Sequence, residues 1–301
     1  MAQRERWNKR SPAGVKKAIE YFGQALQLDP NSALPYCGLA DSYGMLGSEF
    51  HLQASAAANR ALAMDEQLAE AHTSLGYLRM RGEWDWPGAE RELRRAIELN
   101  PSYPTAHQWY SIYLELTGRP DEAVQEAKRA QELDPLSPII NVSLADRLFF
   151  ARQFDPAIEQ LRSSFEIDPN FAGAHATLGE VYSAKHMYQE AIAEFRRLTQ
   201  SDNGPYALGM LGHAYAASGN TLAAEEIAAS LKQQSDAGSG VSEGLALVYI
   251  GLRKKDEALG WLEKAYEAHG GFIVFIKVSP VWDGVRAEPR FQDLLRRLGL
   301  G

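Results

Sequence analysis

At 301 residues the chain has room for about two domains of roughly 150 residues each. Its 45% apolar, 23% charged and 10% aromatic content excludes a wholly disordered, collagenous or coiled-coil chain. The net charge of −8, from 31 Lys and Arg against 39 Asp and Glu, argues against nucleic acid as a partner, which would need a basic stripe. The single cysteine, Cys37, rules out an internal disulfide and with it a disulfide-stapled secreted scaffold. No run approaches the roughly 18 consecutive apolar residues of a membrane span, and the basic residues 1–10 lead into no apolar export segment. A cytoplasmic chain without membrane contact is expected.

In chain order, the first predicted element is a helix over residues 15–28, closed by Asp29-Pro30, because a residue ahead of proline is pushed out of the α region. From there one pattern recurs. Alanine holds one phase eight times, at Ala18, Ala54, Ala89, Ala123, Ala157, Ala191, Ala224 and Ala258, spaced 36, 35, 34, 34, 34, 33 and 34 residues apart. A second small residue usually follows seven positions on, as at Ala25, Ala61, Ala96 and Ala130. Earlier in each unit a large residue precedes a small one: Leu39-Ala40, Leu75-Gly76, Tyr110-Ser111, Leu144-Ala145, Leu178-Gly179, Leu211-Gly212 and Leu245-Ala246. Four positions after the large residue stands a tyrosine or leucine, except at Arg79. Small residues at a fixed phase let two helices approach, and large ones at i, i+4 and i+7 fill the seam.

Asn100-Pro101, Asp134-Pro135 and Asp168-Pro169 predict helix ends. Asp85-Trp86-Pro87 and Asp155-Pro156 predict helix starts, Asp capping free N–H groups and Pro fitting the first turn. Each unit therefore reads helix, turn, helix, turn, and no window shows the period-2 alternation of a strand. The division is a partial first repeat and seven repeats near 31–66, 67–101, 102–135, 136–169, 170–203, 204–237 and 238–270, together residues 1–270, then a capping segment 271–301. Asp236, Ala237, Gly238, Ser239 and Gly240 read as a flexible connector between repeats. In the last segment, residues 272–278 read either as a short buried strand or as a helix. Phe291, Leu294, Leu295 and Leu298 mark one face of a final helix.

A 34-residue period with this large-small pair, tyrosine, paired small phases and closing proline resembles the tetratricopeptide repeat, over about residues 15–270. The resemblance implies an all-α, right-handed solenoid of helix-turn-helix repeats. Too few residues precede the first helix for a whole repeat, so the chain reads as beginning inside one. A solenoid needs its ends covered, which predicts fraying of that helix or a homodimer through it, unless residues 1–12 supply the cap. The run through Pro289-Arg290-Phe291, the stretch Glu83-Trp84-Asp85-Trp86-Pro87-Gly88-Ala89 and the start Trp7-Asn8-Lys9-Arg10-Ser11-Pro12 are similar to the C-terminal tetratricopeptide regions of bacterial regulatory proteins. There, such repeats follow a winged-helix, nucleotide-cyclase or serine/threonine kinase domain.

Chemistry-bearing residues are sparse. His72, His107 and His175 share one repeat phase, but zinc needs ligand nitrogens about 2.0–2.1 Å from one ion, and equal phases of successive repeats lie roughly 8–10 Å apart. Packing between helices is expected of them, and no metal. Cys37 has no histidine nearby in sequence, and no nucleophile elbow, phosphate loop or dinucleotide fingerprint occurs. Asn141-Val142-Ser143 matches a glycosylation sequon but falls inside a predicted helix. No catalytic residue, cofactor or enzymatic activity is expected. Trp84 and Trp86 either anchor a partner or staple their turn onto the next repeat. The basic start (Arg4, Arg6, Lys9, Arg10, Lys16 and Lys17) reads as solvated or folded back on the acidic body.

The resemblance also implies that the first helices of the repeats line a concave groove. The residues so placed include Tyr77, Met80, Arg81, Gln108, Ile112, Glu115, Leu116, Val142, Asp146, Phe149, Phe150 and Glu180, with Tyr206, His213, Glu243 and Leu247 further on. Across the groove six acids (Asp41, Glu70, Glu115, Asp146, Glu180 and Glu243) face one cation, Arg81, and the middle is apolar. That surface fits a protein segment with basic and apolar side chains. The lysine-asparagine clamp of the chaperone-binding relatives is missing at the matching positions. The expected function is a non-enzymatic protein-interaction module. The alternative is the sensory or oligomerisation region of a bacterial regulator, cyclase or kinase whose output domain lies upstream.

Overall fold

The computed structural model describes residues 12–234 and 239–301, and within them all regular structure is helical. The chain divides into two compact units between Arg147 and Leu148. The first holds α1 (Pro12–Leu28), α2 (Leu34–Leu46), α3 (His51–Met64), α4 (Ala69–Leu78), α5 (Trp86–Leu99), α6 (Pro104–Leu116), α7 (Pro120–Leu133) and most of α8 (Pro138–Phe150). Sequential helices pack on one another from α1 to α7, and the first helices of successive pairs also touch, α2 on α4 and α4 on α6. The recurrent alanines sit at these seams: Ala18, Ala54, Ala89 and Ala123 are fully buried. In the Leu75-Gly76 pair the small residue faces the second helix of its pair. A Cβ on Gly76 would collide with Leu93.

The second unit holds α9 (Phe154–Ile167), α10 (Ala172–Ala184), α11 (Tyr188–Ser201), α12 (Pro205–Ala217), α13 (Thr221–Gln233), α14 (Ser239–Gly251), α15 (Lys255–Glu267) and α16 (Pro289–Arg297). Helices α12 and α14 approach closely at two glycines. A Cβ at Gly209 would strike the Gly244 backbone, and one at Gly244 would strike the Pro205 carbonyl.

The two long spacings in the alanine ladder have local causes. The spacing of 36 places extra residues between α2 and α3, at Gly47 (φ 136°) and in the 3₁₀ turn Ser48–Phe50. The spacing of 35 adds one residue to a π-helical turn, Arg79–Glu83, at the end of α4. Trp86 then packs against Tyr113 at 6.5 Å between ring centres, and is buried. This is the stapling role of the tryptophan turn. Within six pairs, the turn joining the two helices carries one left-handed residue: Trp84, Gly118, Arg152, His186, Gly219 and Arg253, with φ from 55° to 90°. Glycine enters that region freely, whereas a side chain there is strained by about 1 kcal/mol.

The turns between pairs are held by a different repeated device. His72 Nδ1 meets Glu92 Oε2 at 2.7 Å, while its Nε2 meets the Glu66 carbonyl at 3.0 Å. His107 bridges Glu126 and the Pro101 carbonyl at 2.6 and 3.0 Å, and His175 bridges Glu194 and the Pro169 carbonyl at 2.6 and 3.2 Å. Asn141 takes this phase in the pair between them. Its Nδ2 donates to the Pro135 carbonyl and its Oδ1 accepts from Gln131. The histidines are thus loop staples with both ring nitrogens engaged. No cluster of His, Cys, Asp or Glu suited to a metal ion occurs among the described residues.

Other expectations are revised. Asp85 caps α5 by accepting from Gly88 N–H at 3.0 Å, as its position predicts. Asp155 does not cap: the left-handed Arg152 turn has already started α9 at Phe154, and Asp155 pairs with Lys185 instead. Residues 272–278 are neither strand nor α-helix. They contain a 3₁₀ helix, Ile273–Lys277, followed by a second one, Pro280–Val285. Ser279-Pro280 sets the break between them, and Ile273, Val274 and Ile276 are buried without the spacing of a one-sided helical stripe. In the supposed glycine connector, Ser239 and Gly240 open α14, while residues 236–238 lie outside the described residues, as does the basic start 1–11.

Candidate functional site

In the first unit the inner faces of α4, α6 and α8 carry the expected groove residues, but half of them point into the packing. Met80, Gln108, Glu115, Leu116 and Val142 are buried, whereas Tyr77, Arg81, Ile112 and Asp146 are half-buried and reach the surface. Tyr77 lies against Trp109 with ring centres 4.4 Å apart, and Arg81 sits over the Tyr77 ring at 5.9 Å. Trp109 is fully buried and fixes that ring. Glu115 is an interior group: its Oε2 meets Arg147 Nε at 2.5 Å, with both side chains almost inaccessible. Burial pushes its carboxyl up to about 8, against the pull of Arg147.

The acid count of the groove therefore overstates its charge. Asp41 accepts from Ser74 at 2.5 Å, Glu115 is engaged by Arg147, and Glu243 Oε1 accepts the Phe272 N–H at 2.6 Å. Glu70, Asp146 and Glu180 are half-exposed. Spacing along a helix reports which side a residue is on, but not which neighbour already occupies its charge.

The second unit holds an arrangement that sequence reasoning missed. The C-terminal segment turns back across the first helices of its own repeats. Phe272 stacks on Tyr206 of α12, ring centres 3.9 Å apart, and Phe275 stacks on Phe150 at 5.9 Å. Asp283 Oδ1 accepts from Arg152 at 2.9 Å. Arg286 braces the segment from within by donating to the Lys277 and Ser279 carbonyls. The segment's own Ile273, Val274, Ile276, Trp282 and Val285 are buried. Burial of each such side chain stabilises by roughly 1.5–3 kcal/mol relative to exposure. The only signal in the sequence was the apolar run itself, which reads equally as an end cap.

Between this segment and the helices lies a cavity of about 600 Å³. Of the expected groove residues it brings together Phe149, Glu180, His213 and Leu247. Arg152, Phe154, Ser183, Tyr188, Met210 and Val281 also line it and were not foreseen. Phe149 is almost wholly buried and Phe150 is turned to Phe275, their rings 4.9 Å apart. Burial pushes His213 down to about 4.

The sequence profile of the tetratricopeptide repeat matches residues 85–138. No curated protein sequence matches the chain. Solved structures do resemble it. The APC/C hetero-tetramer Cut9–Hcn1 has a TM-score of 0.65 at 20% identity, over 94% of this chain and 52% of that one. The human IFIT1 dimer with m7Gppp-AAAA scores 0.64 at 15% identity, over 96% and 75%. Yeast Tom70 scores 0.54 at 15% identity, over 95% and 62%. The chain thus spans about half the length of the first of these, 52%, and at such identities the likeness is one of fold. No described helix is long and apolar enough to cross a membrane. Paired helices at a 34-residue period, alanines buried at every seam and the profile match on residues 85–138 agree: the described residues have the all-α paired-helix fold of a tetratricopeptide solenoid, and residues 85–138 carry the sequence profile of that repeat.

Proposed function

We propose that the chain is a non-enzymatic interaction module that takes a partner's polypeptide segment on the first helices of its repeats. The observation that carries this reading is internal. In the second unit those helices already bear an irregular segment of the same chain, through ring stacking, a carboxylate-to-backbone hydrogen bond and an ion pair. The corresponding face of the first unit presents Tyr77, Arg81, Ile112 and Asp146. Apolar surface beside Glu70 and Asp146 suits a segment with apolar and basic side chains.

Side-chain replacement on that face is the test. Ile112→Asp is predicted to keep the helical content and to weaken capture of the partner at least about tenfold, the effect of losing one good apolar contact. Leu222→Asp, on an exposed position of a second helix, is predicted to leave capture unchanged. Unchanged capture by Ile112→Asp, or equal loss with Leu222→Asp, would contradict the proposal.

A further inference from the structure

We infer that the cavity of the second unit, walled by Phe149, Phe195, Met210 and Leu247 with His213 among them, is a binding site for an uncharged aromatic molecule that bears a hydroxyl group, the hydroxyl bonding to the His213 ring.

The volume, about 600 Å³, falls within the roughly 300–1,000 Å³ typical of small-molecule sites. Phe149, Phe195, Met210 and Leu247 line it and are buried. Phe154 and Tyr188 add two more rings. Ring faces and a thioether favour an aromatic guest, through offset stacking and sulfur-to-ring contact. Met210 and His213 stand three residues apart on one face of α12, and the cavity receives both.

The fold makes no polar use of His213. Burial alone lowers its value, with no hydrogen bond and no neighbouring charge contributing. Among the described residues none hydrogen-bonds to its ring. Its ring nitrogens nevertheless keep accessible surface, and a guest in the cavity can reach them. An imidazole left so costs stability, and an apolar side chain would suit the packing better. With its value at about 4 the ring is neutral at neutral pH, so it offers one N–H donor and one acceptor nitrogen. A hydroxyl matches either one, since it both donates and accepts.

The other titratable groups on the walls are already engaged. Arg152 and Asp283 pair at 2.9 Å at the exposed rim. His186 Nδ1 meets the Tyr188 hydroxyl at 2.8 Å, and Glu180 has an interaction of its own within the protein. An ammonium or a carboxylate entering among the apolar side chains would shed its water with no uncommitted countercharge to offset the loss. His213 supplies none, because burial holds it in its neutral form. An uncharged guest meets no such penalty.

The site does not depend on the face of the first unit, so Ile112→Asp should leave it intact. Equilibrium dialysis of the full chain at neutral pH tests it with four probes on one skeleton: 2-naphthol, naphthalene, the anion 2-naphthoate and the cation 2-naphthylmethylammonium. 2-Naphthol is predicted to bind at least about tenfold more tightly than either ion. His213→Phe is predicted to weaken 2-naphthol about three- to tenfold, the worth of one hydrogen bond, and to leave naphthalene within about twofold. Met210→Trp, which fills the cavity, is predicted to abolish binding of both uncharged probes while circular dichroism shows the helices retained. No binding of 2-naphthol, an ion bound as tightly as 2-naphthol, or a His213→Phe chain that keeps its affinity for 2-naphthol or loses both uncharged probes equally would overturn the inference. If Met210→Trp fails to fold, the ranking of probes on the unaltered chain and the His213→Phe comparison still decide.

Discussion

His72 sets both ring nitrogens on acceptors, the Glu92 carboxylate and the Glu66 carbonyl, an arrangement that only the doubly protonated imidazolium can fill with two donated bonds. The Glu92 bond raises His72 above its ordinary value, and the His72 bond lowers Glu92 below its own. The histidine contribution is complete below the unfolded imidazole value of about 6.5 and fades as pH rises through the higher folded value. The glutamate contribution is complete above the unfolded value of about 4.3 and fades as pH falls through the lower folded one. The staple therefore stabilises most between about pH 4.3 and 6.5. His72→Gln is predicted to lower the melting temperature more at pH 6 than at pH 9, and an equal loss at both would contradict the assignment. The buried Glu115–Arg147 pair yields a second prediction. Arg147→Met leaves a buried carboxyl without its partner and should destabilise by about 1–3 kcal/mol in urea titration, most of which Glu115→Leu/Arg147→Met recovers. Neither role was legible in the sequence. A histidine phase and an inward acid were visible, but the partners lie 20 and 32 residues away on other helices.

The helices themselves were legible, because buried seams impose a period that the chain displays seven times. Leu75-Gly76 and Leu178-Gly179 show the reason: the small member leaves room for Leu93 in one pair and Phe195 in the other. Gly209 and Gly244 go further, since α12 and α14 meet there backbone to backbone. Gly244→Ala forces them apart and is predicted to destabilise the chain by about 1–3 kcal/mol, read as a lower denaturation midpoint at unchanged slope. A neutral result would mean that the helices slide without penalty. The segment after α15 was not legible in the same way. An apolar run of seven residues is too short for its period to be read, so Ile273, Val274 and Ile276 give no clue to a 3₁₀ path or to the helices they cover. Asp155 misled for a related reason: an Asp-Pro pair opens a helix only where the preceding turn has not already done so.

At the scale of the molecule, each unit stacks repeats that contact only their neighbours, so local losses should stay local. Removal of residues 271–301 uncovers Tyr206, Glu243 and the apolar seam of α15. Hydrogen exchange is predicted to quicken first in α14 and α15, and uniform protection after the truncation would refute the covering role of the segment. The repeat architecture was open to reading from 34-residue spacing alone, whereas the occupation of one inner face by the chain's own segment needed three dimensions. The central claim is that the first helices, and not the second ones, receive the partner. Site-specific photocrosslinking tests it most directly, with benzoylphenylalanine placed at Ile112 in one chain and at Leu222 in another. The account predicts a discrete crosslinked partner from Ile112 and none from Leu222. A crosslink from Leu222 with none from Ile112, or equal yields from both, would contradict it.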